Sequence, residues 1–573
     1  MTTRDVLSIL AELVTLTILA EGSSQSFKVR AYENALAGIE AAGTDVTVMS
    51  KPELVEIKGV GPSTADKILE FVSSGTVKKL EDLRAEYPPQ FVQLTRIPGL
   101  GPKTLTMLRE RLGIEDLEGL KAALESQALR ELPGLGKTSE EKIARAIDRL
   151  GLHGKDRRTP IVEALGVAHH LVDELSELSG VAEVAHCGSL RRFSDTIGDV
   201  DIVVATDAPQ PVMDHVANHS LATEIIAAGK TKTSILTRSG LQVDVRAVAP
   251  HQFGSAILYF TGSKAHNIAL RQRAIDRGWL LNEYGLMDGD EIVASQSEDD
   301  IYAALGLPPI APPMREGSGE IEAAESGTLP DLVSLADIRG DLHYHTERSG
   351  DGRSTLEEMV LAAVERGYEY VAITDHGEDL TINGSSRQEM LDHRDRIRDM
   401  EQRHGIRLLF GCELNIGPDG SLDYDAEFRS EFDFCVASIH SHFDLDAEVQ
   451  TVRLLTAIGD PSVTVVGHLT GRYIGRRPGI ELDIDSVLEG LVATGVALEV
   501  NGALDRLDAT ADVVRVAVRA GVDLTISTDS HHTSELRRME YGVEWARRGW
   551  APSASIANTL ALADFEPWAA RRR

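Results

Sequence analysis

Cysteine is scarce in this chain: three in 573 residues, Cys187, Cys412 and Cys435, with no spacing suited to a metal site. That excludes a disulfide framework and points to a reducing compartment. A long apolar run is missing too. Residues 7–19 are broken by Ser8, Glu12, Thr15 and Thr17 and are too short to span a bilayer. No charged n-region, apolar stretch and cleavage site opens the chain, so a cytoplasmic protein with no membrane partner is expected. Positive charge is in deficit as well, with 58 Lys and Arg against 90 Asp and Glu and a formal net charge of −32. The excess lies late: residues 1–150 carry −3, 151–320 carry −9 and 321–573 carry −20. Local basic groups remain at Lys155, Arg157 and Arg158, at Lys230, Lys232 and Arg238, and at Lys264, Arg271, Arg273 and Arg277. Salt screens charge beyond roughly 8 Å, so these clusters outweigh the total. A polyanionic partner is allowed, with modest affinity and marked salt sensitivity.

The most informative stretch is residues 187–204, CGSLRRFSDTIGDVDIVV. Its end reads as a strand, on which Asp199 and Asp201 share a face while Val200 enters the core. Two adjacent carboxylates repel unless a cation sits between them, which makes the pair a seat for Mg²⁺. Gly188 and Ser189 offer backbone N–H and a hydroxyl to an anion, and Arg191 and Arg192 add positive charge. A third carboxylate, Asp244, lies in another alternating strand, LQVDVR. Asp-x-Asp alone is more often an exposed strand pair than a catalytic one; the turn, the arginines and the third Asp reverse those odds.

Upstream, one pattern occurs three times: IKGVGPSTADKI (57–68), RIPGLGPKTLTML (96–108) and ELPGLGKTSEEKI (131–143). Each is a helix–hairpin–helix turn. Its glycines (Gly59 and Gly61, Gly99 and Gly101, Gly134 and Gly136) let the backbone approach a DNA phosphate, and the next helix aims its N-terminus at it. The third copy lacks the proline after its second glycine and is expected to be a degenerate, structural one.

The 187–204 block, with YFTGSKAHNIALRQRAIDRGWLLNEYGL (259–286), resembles the nucleotidyltransferases and, within them, the DNA polymerase X family that includes DNA polymerase beta. The resemblance implies an α+β palm over 151–250 and a nucleotide-binding, thumb-like domain over 251–310. It implies that Asp199, Asp201 and Asp244 hold Mg²⁺ or Mn²⁺. Arg158, Gly188, Ser189, Arg192 and Gly198 would surround the triphosphate of a dNTP, and Tyr259, Phe260 and Gly262 its sugar. Asn267 would read the base edge and Arg271 the template strand. Residues 1–85 are similar to the family's helical lyase domain, with Lys67 at the Schiff-base position and Lys28 and Tyr32 near the 5′-phosphate; two further lysines of that pocket are here Val55 and Ser63. Residues 86–150 resemble the family's DNA-binding fingers.

Residues 311–335, rich in Pro, Gly, Ser and Glu, read as a linker with one weak helix. Beyond it, seven short apolar runs each end in a metal-type residue: His343 and His345, His376, Glu413, His440, His468, Glu499, and Asp529 with His531. Helical periods between them imply a parallel barrel with ligands at one mouth. This part, 336–573, resembles the PHP (polymerase and histidinol phosphatase) domain. By that likeness three Mn²⁺, Zn²⁺ or Fe ions would use His343, His345, Glu413 and Asp529; Glu413, His440 and His468; and Asp351, His376 and His531. Arg472 is read as a phosphate contact, and Glu499 and His442 as groups behind the ligands.

The expected protein is therefore multidomain: helical helix–hairpin–helix domains, an α+β palm, and a C-terminal (β/α)7 PHP barrel. It is read as a monomer acting on gapped or primer-template DNA. It would fill gaps in base excision repair and cut phosphodiesters as a 3′–5′ exonuclease, with abasic endonuclease or 3′-phosphatase action as further outcomes. Two alternatives are a barrel acting as a small-molecule phosphatase and a DNA-binding scaffold with vestigial enzymes. The intact carboxylates and the DNA-binding turns weigh against both.

Overall fold

The computed structural model describes residues 3–23, 26–42, 46–97, 100–149, 158–380 and 383–572. They sort into two compact units, one of residues 1–157 with 475–477 and the other the remainder. Among the described residues, no helix is long and apolar enough to cross a membrane.

The first unit is helical. Helix Thr3–Glu21 buries Val6, Leu10, Leu13 and Leu16 at helical spacing, and these join one core with Leu54, Ile68, Leu105 and Leu129 from the hairpins. In the first hairpin Gly59 has φ +96°, and a Cβ there would lie 2.2 Å from the Asn34 carbonyl oxygen, so only glycine fits. Gly61 and Gly101 cap helices Pro62–Ser74 and Pro102–Leu112, each with proline at the first position, where its missing N–H costs nothing. Gly99, Lys155 and Arg157 lie outside the described residues. The third hairpin keeps the shape without its proline. Gly134 is at φ +82° and helix Lys137–Arg149 follows, with Glu140 accepting from the Arg130 backbone N–H (3.1 Å) and Nε (3.0 Å). That carboxylate ties the third helix to the segment before its turn.

The second unit opens with a five-stranded mixed sheet. Strand Asp199–Thr206 runs between Val181–His186 (antiparallel) and Gln242–Val248 (parallel), and Lys232–Thr237 and Ala222–Ala228 follow on the far side. Val200, Ile202 and Val204 point into a core with Leu165 and Leu171 of helix Ile161–Ser176. Helices Phe253–Thr261 and Lys264–Ile275 lead to a small three-stranded antiparallel sheet.

Residues 311–335 are not a free linker. Met314 and Ile321 enter the same core as Leu270 and Ile301. Buried Arg315 pairs with Glu298 (2.5 Å) and buried Glu320 with His266 (2.8 Å). Composition misleads here because few apolar residues suffice when a buried ion pair and a buried hydrogen bond do the joining.

Seven parallel strands follow in sequence order, from Gly340–Tyr344 to Leu524–Ser527. The first and last approach at the mouth, where the His345 N–H donates to the Ser530 carbonyl (2.9 Å), making a nearly closed barrel.

Candidate active sites

In the palm, parallel register sets Asp201 directly beside Asp244, with Asp199 two residues earlier on the same face. Burial first, then the charges of Asp199 and Asp244, pushes Asp201 up to about 7. Burial would also raise Asp244, but Lys232 Nζ at 2.6 Å and Gln242 Nε2 at 2.9 Å hold it below the usual range. Lys232 thus supplies the positive charge these carboxylates call for, which suits a hard cation at the same place. A cavity of about 140 Å³ opens there, lined by Asp201, Lys232, Asp244, Arg246 and Phe260.

The anion side of the palm is built on a turn only glycine can make. Gly188 has φ +65°, and a Cβ there would lie 2.7 Å from Asp201 Oδ2. Helix Gly188–Arg191 follows, with Ser189 half-buried. Arg192 donates from Nε to Glu316 (3.0 Å) and from its guanidinium to the Thr261 carbonyl (2.6 Å). Arg158, exposed, donates to Thr196 Oγ1 (3.0 Å) and comes within 4.0 Å of where a Gly198 Cβ would be. Gly262 lies against Arg192. Tyr259, Asn267 and Arg271 line one cleft: Asn267 donates to the Tyr259 carbonyl (2.7 Å), and the Arg271 guanidinium lies 5.8 Å from the Tyr259 ring centre. Phe260 packs under Arg246 at 4.7 Å. Sequence reasoning missed Glu298, which takes both terminal nitrogens of Arg191 (2.9 and 2.7 Å); the two lie 107 positions apart and no local pattern joins them.

In the barrel all nine predicted ligands meet at one mouth. Wholly buried Glu413 has five imidazoles around it: His468 Nε2 at 2.8 Å, His376 Nδ1 at 2.9 Å, His440 Nε2 at 3.2 Å, His343 Nε2 at 3.4 Å and His345 Nε2 at 3.5 Å. Asp529 Oδ1 lies 3.5 Å from His345 and 3.8 Å from His343 and His531. Asp351 is 3.6 Å from His376 and 3.5 Å from His531. Three ligand groupings converge: His343, His345 and Asp529; His376, Glu413 and His440; and His345, His376 and His531.

The donor set fits metal ions. Nε2 of His343 and of His345 is buried without a hydrogen-bond partner, while each ring's other nitrogen is held, His343 Nδ1 by Glu499 (2.6 Å) and His345 Nδ1 by Ser349 (2.8 Å). That fixes the tautomer a metal ligand needs. Ser349 donates in turn to Asp375 (2.7 Å), which His393 also contacts at 2.9 Å. Burial, then the neighbouring His531 and His376, keeps His345 near about 4 and so neutral. Burial opposes ionisation of Glu413, yet His440, His343 and His376 hold it well below the carboxylate range. His468 (φ +24°) and Asp529 (φ +50°) adopt left-handed backbone, a strain that persists where surrounding structure over-determines it.

Beside Asp351, Asp529 and His531 is a cavity of about 230 Å³. Three guanidiniums line it. Arg353 and Arg538 both pair with Glu535 (2.6 and 3.1 Å), whereas Arg506 pairs with Tyr473 Oη (2.8 Å) and lies 3.5 Å from Asp529 Oδ2. Arg472 is elsewhere. It donates to the carbonyls of Arg506 (2.7 Å) and Leu507 (2.6 Å) and pairs with Asp195 of the palm (3.0 Å), so it does not line this cavity. His442, expected behind the ligands, is exposed, and its carbonyl accepts from Gln450 (2.6 Å) rather than its ring meeting a ligand.

A separate imidazole group surrounds Glu174: His219, His215 and His170 lie 2.9, 3.1 and 3.3 Å from its carboxylate. His219 Nδ1 accepts the Leu221 N–H (3.1 Å), so Nε2 keeps its proton and donates to Glu174. His219 is thus held to Glu174 as a hydrogen-bonded clamp.

Comparison with known proteins places the chain in a family. The chain is 37% identical to the DNA polymerase/3'-5' exonuclease PolX of Bacillus subtilis (strain 168) over 551 residues, 95% of each chain. The chain belongs to the family X DNA polymerases that carry a PHP domain. The DNA polymerase beta thumb model matches residues 256–316 and the PHP domain model 341–503. Helix-hairpin-helix models match 1–77 and 91–149, the latter described as a SAM-like tandem. DNA polymerase lambda of Rattus norvegicus is 25% identical over 47% of this chain and 49% of its own. A probable phosphatase of Caldicellulosiruptor saccharolyticus is 27% identical over 35% of this chain and 83% of its own.

Because Glu499 orients His343, Glu499→Gln should weaken metal binding at the barrel mouth by roughly 10- to 100-fold. Titration against a competing chelator checks this; unchanged affinity would remove Glu499 from the support of the site.

Proposed function

We propose that this chain is a two-site repair enzyme of the cytoplasm: a polymerase filling short DNA gaps and a metal-dependent 3′–5′ exonuclease. The register of Asp201 against Asp244, beneath the Gly188 turn, carries the first half. Asp199 and Asp201 would hold Mg²⁺ or Mn²⁺ and Asp244 the ion beside the primer 3′-hydroxyl; such ions stabilise charge on both attacking and leaving oxygens. Ser189, Arg192, Gly188, Gly198 and Arg158 receive the triphosphate of a dNTP. Tyr259, Phe260 and Gly262 follow its sugar, Asn267 its base edge, and Arg271 the template. Cβ atoms built at Gly61, Gly101, Gly134 and Gly136 meet nothing within 4 Å, so these turns can lie against a DNA backbone.

At the barrel mouth the nine ligands would hold up to three Mn²⁺, Zn²⁺ or Fe ions, whose chemistry is to polarise a phosphodiester and lower the pKa of water. Arg506 binds the phosphate from the cavity side. Phosphatase relatives cover only this part, and its fusion to DNA-binding turns favours a DNA end as substrate over a small phosphate ester. The chain is read as acting as a monomer.

A lyase step is proposed at Lys67. The amine is half-buried, donates to Ser63 Oγ (2.9 Å) and the Ser63 carbonyl (3.1 Å), and lies 5.7 Å from the ring centre of buried Tyr32. Burial lowers its pKa, which raises the share of free amine available for Schiff-base attack. Lys28 pairs with Glu21 (2.7 Å) at the surface.

Asp199→Ala and Asp201→Ala should each abolish nucleotide incorporation into a single-nucleotide gap while 3′ degradation persists. Gap filling by the double variant at the wild-type rate would overturn the palm assignment. Borohydride should trap an adduct with incised abasic DNA through Lys67, and trapping that survives Lys67→Ala would place that chemistry on another amine.

A further inference from the structure

The palm's phosphate side is gripped by the barrel. Residues 192–195 link helix Gly188–Arg191 to the strand bearing Asp199 and Asp201, and barrel residues hold this turn at three points. Arg548, at the end of helix Arg538–Arg548, donates to the Arg192 carbonyl (2.6 Å) and to Glu316 Oε1 (2.7 Å), the same oxygen that accepts from Arg192 Nε (3.0 Å). Phe193, buried and left-handed at φ +58°, stacks on Tyr541 (ring centres 6.3 Å apart, planes at 25°) and lies 6.4 Å from Trp545. Asp195 pairs with Arg472, whose guanidinium is 5.6 Å over Trp545. A non-glycine residue in left-handed backbone needs such over-determination.

We propose that Arg548 is a positioning residue of the polymerase: the barrel, besides its own chemistry, sets the palm arginine that meets the incoming nucleotide. The inference rests on the reading of Arg192 as a triphosphate ligand. Two effects act in the same direction. Arg548 fixes the Arg192 backbone, so the guanidinium starts from one place. It also shares Glu316 Oε1, which weakens the hold of that carboxylate on Arg192 and leaves the guanidinium available to an anion. Without Arg548, Glu316 has Arg192 as its sole cationic partner among the described contacts, and the Phe193 turn loses a tether.

The test is steady-state gap filling by the full-length protein on a single-nucleotide gapped duplex. Arg548→Ala should raise KM for the dNTP by about 10-fold, in the range of typical site-to-site couplings, with kcat nearly unchanged. Degradation of a 3′-labelled strand should stay at the wild-type rate. Arg548→Lys, which keeps a cation near Glu316, should restore part of the loss. In an Arg192→Ala background, Arg548→Ala should add no further rise in KM. Should Arg548→Ala unfold, Asp195→Asn removes the charge that pairs with Arg472 and should raise KM in the same direction. An unchanged KM in both variants, or equal effects of Arg548→Ala with and without Arg192, overturns the proposal. If Arg192→Ala itself leaves KM unchanged, it is the triphosphate reading that fails.

Discussion

The barrel mouth depends on one buried carboxylate. Glu413 lies on strand Arg407–Asn415 with five imidazoles within 3.5 Å, contributed by four other strand ends. A carboxylate out of water is costly unless cations or hydrogen bonds surround it, so the seven strands are useful only if they end in the same small volume. The arrangement behind the ligands follows from this. Glu499 holds His343 and accepts the His468 N–H (2.6 Å), and Asp375 works through Ser349 on His345. The left-handed backbone at His468 is held by Glu499, and that at Asp529 by Asn501, which donates to its carboxylate (3.2 Å), and Arg538, which donates to its carbonyl (2.9 Å).

The palm solves a related problem with less enclosure. Asp201 and Asp244 face each other across a strand pair, but Asp199 is exposed and Lys232 reaches in from a neighbouring strand. Such a site leaves one of its three carboxylates facing solvent. Most of the barrel's ligands are buried and pre-aligned, which suits resident ions. The difference is one of burial rather than of residue type, and both sites stand on parallel strands that bring carboxylates into register.

Much of both sites was legible in the chain. Alternation placed Asp199 and Asp201 on one face, and seven apolar runs ending in His, Asp or Glu announced the barrel. Where sequence reasoning failed, partners distant in the chain were decisive. Arg472 follows the ligand His468 closely, yet Asp195, 277 positions away, draws it to the palm. Arg506 carries no motif and was overlooked. Residues 311–335 have linker composition but fold through Arg315 and Glu320, buried charges whose partners Glu298 and His266 lie far upstream. The third hairpin keeps its shape without the proline, and Glu140, ten positions on from Arg130, ties its helix to the segment before the turn, a contact no local pattern reveals.

Two independent metal centres in one chain are tested most directly by Glu413→Gln, which keeps the shape of the side chain and removes its charge. Metal content by elemental analysis should be read beside degradation of a 3′-labelled strand and filling of a single-nucleotide gap. Loss of bound ions and of degradation, with gap filling retained, is the expected result. A variant that keeps the wild-type metal content and still degrades DNA would contradict it and place the nuclease away from the barrel mouth.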